Sequence, residues 1–189
     1  IASAHALGIA HRDLKPANLM VEPLRGGGVT ARVLDFGIAK AMEPEESPGS
    51  GFTETRSDHG SYSLPYAAPE QVGRLRTGPW TDVHALALIV SEALTGRAPY
   101  PGDDSFGLYA AVMAPERPTP GRLGVAVGPW EAVLAKAMAL HPAERFADAG
   151  ALHTALAETL EAAQRAWERP VPPAPPKAAP SRRRAGVGL

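Results

Sequence analysis

The 189-residue chain carries 19 Lys and Arg against 20 Asp and Glu, a formal net charge of −1, so no basic excess offers itself to nucleic acid. It has no cysteine, which excludes a disulfide framework and a thiolate metal site and is compatible with a reducing cytoplasm. Its histidines lack the HExxH spacing of a zinc site, and no apolar run approaches the roughly 20 residues that a bilayer span needs.

In chain order, residues 1–7 read as the end of a helix stopped by Gly8, and residues 11–18 as a polar loop. Apolar runs at 19–21 and 31–34 flank Gly26, Gly27 and Gly28 and suggest a hairpin. No helix start and no Lys-Ser/Thr follows those glycines, so they form a turn rather than a phosphate loop. Residues 37–66 are rich in Ser, Thr, Gly, Glu and Pro without a sustained period, the mark of a long functional or mobile loop. Thr81 is the expected N-cap of a helix over 82–94 that is apolar nearly all round and therefore buried, with Gly96 as its stop. Further helices are expected over 104–113, 129–140 and 147–167. Residues 169–189 are Pro, Ala and basic residues that cannot form a core, so residues 1–168 are the expected domain and the rest a disordered linker. The fold class is mainly α, with one short β-hairpin.

The chemistry concentrates in His11-Arg12-Asp13-Leu14-Lys15-Pro16-Ala17-Asn18, followed by Asp35-Phe36-Gly37. Phosphoryl transfer from a nucleotide needs hard oxygen ligands for Mg²⁺ and a carboxylate that orients and deprotonates the attacking hydroxyl. Asn18 and Asp35 can supply the metal ligands, Asp13 the carboxylate, and Lys15 a point charge for the transferred group. Downstream stand Ala68-Pro69-Glu70, Thr81-Asp82-Val83, and His141-Pro142 with Arg145-Phe146.

Taken in order, these segments resemble the carboxy-terminal lobe of a bacterial, eukaryotic-like serine/threonine protein kinase. The resemblance implies a helical large lobe with the hairpin at its catalytic cleft, ATP and Mg²⁺ as cofactors, and protein Ser/Thr hydroxyls as substrate. Lys15 favours Ser/Thr over Tyr in the family's pattern. Further implied roles are Met20 beneath the adenine, His11 and Phe36 in the hydrophobic spine, Asp82 on the His11-Arg12 backbone, and an ion pair of Glu70 with Arg145. Ser63 falls where the family's Ser/Thr contacts the catalytic Asp. Arg12 would receive a phosphate on the activation loop, at Thr53 or Thr55. Two positions depart from the pattern, Tyr62 and Ala87 standing where the family usually has glycine.

The family's nucleotide roof precedes the catalytic loop, and none of Lys15, Lys40, Lys136 and Lys177 lies on a strand before it. The expectation is therefore a truncated chain whose small lobe is missing, inactive alone, with apolar surface exposed near His11, Met20 and Phe36. Arg182, Arg183 and Arg184 followed by apolar residues 185–189 suggest the cytoplasmic flank of a membrane anchor beyond Leu189. Two other readings compete. A pseudokinase-like binding module is opposed by the retained Asp13, Asn18 and Asp35. A small-molecule phosphotransferase is opposed by the Arg12/Lys15 combination and the Glu70 and Arg145 motifs.

Overall fold

The structure, a computed structural model, describes residues 1–34, 63–102 and 104–168, with side chains given as far as residue 162. It is mainly helical. A short α1 (Ala2–Ala6) leads through Gly8, at φ 75°, into the loop that carries His11, Arg12 and Asp13 and a 3₁₀ turn at Pro16–Asn18. Strands β1 (Leu19–Pro23) and β2 (Val29–Val33) pair antiparallel, with Leu19 opposite Val33 and Pro23 opposite Val29. Gly26, Gly27 and Gly28 all take positive φ in the connecting turn, a region that costs glycine nothing.

After the hairpin come a 3₁₀ turn at Leu64–Tyr66, α2 (Pro69–Val72), α3 (Pro79–Thr95), α4 (Ser105–Met113) and α5 (Trp130–Ala137). Pro142–Glu144 forms a further 3₁₀ turn before α6 (Ala149–Glu168). α3 is the central element and packs against both α5 and α6. Val83, Ala87 and Leu88 of α3, Val112 of α4, Leu134 and Ala137 of α5, and Met138 form a core sealed by Leu152 of α6. Ala87 is wholly enclosed in that core, so the methyl group replacing the usual glycine fits its surroundings.

Two expectations need correction. The N-cap of α3 is Gly78, not Thr81. Pro79 occupies the first helical position, where its missing N–H costs nothing. Thr81 instead reaches back from the first turn, its Oγ1 accepting the Gly78 N–H at 3.1 Å. Met20 is 44% exposed, but His11 is fully buried, because backbone and carboxylate partners enclose it. Asp104, expected inside a helix over 104–113, is the N-cap of α4, its carboxylate accepting the Phe106 and Gly107 N–H groups, and Gly96 ends α3 in the left-handed region at φ 64°.

Candidate active site

The site is built around the peptide groups of His11 and Arg12. Asp82, buried near the start of α3, accepts the His11 N–H on Oδ2 at 2.6 Å and the Arg12 N–H on Oδ1 at 2.7 Å. Arg12 is held at φ 64°, an uncommon conformation for a residue with a side chain. The His11 ring accepts the Asp13 N–H on Nδ1 at 3.3 Å, so its other nitrogen carries the proton and donates to Leu34 O at 3.1 Å.

That turn delivers Asp13 to a half-buried position where both carboxylate oxygens are engaged. Oδ1 accepts the Ser63 N–H at 3.1 Å, and Oδ2 lies 3.1 Å from the Lys15 ammonium. Lys15 Nζ also donates to Ser63 Oγ at 3.0 Å. Asn18 donates its amide Nδ2 to Asp13 O at 2.8 Å. With the amide nitrogen so committed, Asn18 Oδ1 is the oxygen that a hard cation would take, which fits Mg²⁺ chemistry. Asp35, Phe36, Thr53 and Thr55 lie outside the described residues. Met20 sits on β1 opposite Arg32.

A second layer fixes the segment that carries Ser63. Glu70 on α2 meets Arg145 through two parallel bonds, Nη1 to Oε1 and Nη2 to Oε2, both at 2.8 Å and both buried. Arg145 also donates to Ala139 O, Leu140 O and Trp80 O, and Thr81 Oγ1 donates to Glu70 Oε1 at 2.8 Å. Every donor of the guanidinium is thereby used, the condition under which a buried ion pair is tolerated. Tyr66 donates its hydroxyl to Glu92 Oε2 at 2.6 Å, and burial, then the Glu92 carboxylate, push its phenol well above the usual range.

Sequence reading passed over several residues of this assembly. His5 on α1 accepts the Ala149 N–H on Nδ1 at 3.1 Å and therefore donates from Nε2 to Asp82 Oδ2 at 2.9 Å, which supplies Asp82 with a third N–H donor. Gln71 bridges Ala68 N and Arg12 O. Arg117, nearly buried, donates from Nη2 to His84 Nε2 and to Tyr100 Oη, both at 2.7 Å. His84 is consequently neutral, and burial, then the positive charges of Arg145 and Arg117, hold its pKa well below the usual range. No spacing signal ties these residues together, since each partner is a backbone atom or lies on a distant element.

Residues 1–122 match the protein kinase domain family. The chain belongs to the protein kinase domain family. Curated relatives agree. The chain is 38% identical over 160 residues to the serine/threonine-protein kinase PknD of Mycobacterium tuberculosis, covering 84% of this chain and 22% of that protein. It is 33% identical to the serine/threonine-protein kinase pkn3 of Myxococcus xanthus, over 82% of this chain and 28% of the relative. PknE of M. tuberculosis is 36% identical over 82% of this chain and 26% of its own length. The kinase-family chain thus spans about a quarter of these relatives. Among the described residues no helix is long and apolar enough to cross a membrane.

Proposed function

We propose that this chain is the large lobe of a serine/threonine protein kinase that transfers the γ-phosphate of ATP to protein Ser or Thr hydroxyls. The observation that carries the proposal is the Asp13 carboxylate, held between the Ser63 N–H and the Lys15 ammonium. That geometry suits a group that orients a hydroxyl and takes its proton while a neighbouring ammonium faces the transferred phosphoryl group. Asn18, and Asp35 beyond the described residues, would hold Mg²⁺, which when bound neutralises charge on the phosphates.

The large-lobe reading draws on the same inventory. Asp13, Lys15, Asn18 and Ser63 furnish the hydroxyl side of the reaction, whereas Lys136 lies on α5 and leaves no described lysine besides Lys15 for the nucleotide. Exposed Met20, Val21 and Val29 on the hairpin provide apolar surface for adenine and for a covering lobe. On this reading the chain alone has negligible activity, because catalysis of this kind depends on positioning the nucleotide. Arg12 is the proposed receptor for a phosphate at Thr53 or Thr55. In support, its Nε is buried and has no hydrogen-bond partner among the described residues.

Asp13→Asn in the complete protein is the test. Turnover is expected to fall by about two to four orders of magnitude with the melting temperature preserved. Near-normal phosphorylation of a protein substrate by the purified variant would refute the proposal. The phosphate switch is checked separately by mass spectrometry of the active enzyme, and full activity with Thr53 and Thr55 unmodified would remove it.

A further inference from the structure

We infer that Gln71 is a positioning residue, one that holds the peptide between Arg12 and Asp13 in the orientation that presents the Asp13 carboxylate. The inference builds on the kinase reading for its activity measurement alone. Gln71 is 8% exposed, too enclosed for its polar atoms to be satisfied by solvent. Its Oε1 accepts the Ala68 N–H at 3.0 Å, and its Nε2 donates to Arg12 O at 2.7 Å. The carboxamide can sit only one way, since a flip would set oxygen against oxygen and N–H against N–H.

The place of those two bonds gives them their consequence. Arg12 is in the left-handed region at φ 64°, a conformation that persists only where its surroundings over-determine it. Asp82 grips the peptide on its N-terminal side through the Arg12 N–H. Gln71 grips the peptide on its C-terminal side through Arg12 O, and the nitrogen of that second peptide belongs to Asp13. Without Gln71, Arg12 can relax by rotating the Arg12–Asp13 peptide, which breaks the 3.3 Å bond from Asp13 N to His11 Nδ1 and re-aims the carboxylate. Because Ala68 follows Ser63 in the same substrate-side segment, Gln71 also ties that segment to the catalytic loop at a second point, apart from the contact of Ser63 with Asp13.

Two variants of the complete kinase test this. Gln71→Glu keeps the size and the acceptor for Ala68 but removes the donor to Arg12, and Gln71→Met fills the space with neither. Both are expected to lower kcat by about tenfold or more while KM for ATP stays within about twofold, the signature of misplaced chemistry rather than lost binding. In both, hydrogen exchange at the Asp13 amide is expected to accelerate relative to amides of the α3 core, which a general loss of stability would not produce. A kcat within about twofold of wild type in both variants, or an Asp13 amide exchanging at the wild-type rate, overturns the inference. If the wild-type protein itself phosphorylates nothing, the functional proposal fails instead, and the exchange measurement still decides the role of Gln71.

Discussion

Arg145 lays its guanidinium flat against the carboxylate of Glu70, nitrogen to oxygen at 2.8 Å twice over, across 75 residues of sequence. Neither side chain reaches solvent appreciably. The pair closes the Ser63–Glu70 segment onto the helical core, so its loss should be felt in stability.

Breaking it from one side leaves an uncompensated buried charge. Arg145→Met is therefore expected to cost about 3–5 kcal/mol, and Glu70→Met a similar amount. The double variant Glu70→Met/Arg145→Met should cost clearly less than the sum, since neither charge is then stranded. Urea unfolding of the four proteins checks this, and additive losses would contradict the pairing.

Asp82 accepts N–H groups from His11, Arg12 and His5. Asp82→Asn replaces one accepting oxygen by a donor that faces another donor. A loss of about 2–3 kcal/mol is expected from the charge-assisted bonds alone, together with a His11–Asp13 loop free to leave its conformation. Thermal unfolding measures the first effect, and phosphotransfer by the complete protein the second.

The buried imidazole of His84 should make stability depend on pH. Its pKa in the folded state lies well below the ordinary 6.5, so under mildly acid conditions the unfolded chain binds a proton that the folded chain does not. Stability contributed by this site is fully present above pH 6.5 and is lost as pH falls below that value, by up to about 1.4 kcal/mol per pH unit. His84→Gln keeps an acceptor for Arg117 but cannot titrate. Denaturation between pH 7 and pH 5 should show a shallower acid limb in this variant by roughly one proton, and equal slopes would disprove the assignment.

Gly96 stops α3 with a left-handed residue whose N–H bonds to Glu92 O at 2.7 Å. Space is open around it, so the cost of Gly96→Ala is conformational. About 1 kcal/mol is expected, readable as a lower melting temperature.

The parts of this molecule that sequence exposed are those where a residue type and its neighbours carry a local signal. Gly96 marks a helix end by chemistry that acts within a turn and stands where it was expected, and the helix expected over 104–113 begins one residue later, with Asp104 as its cap. Asp13, Asn18, Asp82, Glu70 and Arg145 were visible as members of ordered motifs. Gly78 was not, because Thr81 is the better capping residue by type and only the Pro79 that follows Gly78 argues for the earlier start. His5, Gln71 and the trio of His84, Arg117 and Tyr100 could not be found, since an isolated polar residue, in a helix or a connection, reads as a surface residue until the fold supplies its partner. α2 is four residues long, too short to show a period.

The single imidazole of His5 joins Asp82, 77 residues away, to Ala149, 144 residues away. During synthesis the His11–Asn18 loop leaves the ribosome before its anchor at Asp82, and the α6 end of the same linkage follows later still. Closing contacts so distant in sequence is slow, which leaves the loop without its full set of fastenings until Ala149 has been made. A nascent chain halted before Ala149 would already contain every residue from His11 to Asn18, and its His5 would have found only one of its two partners.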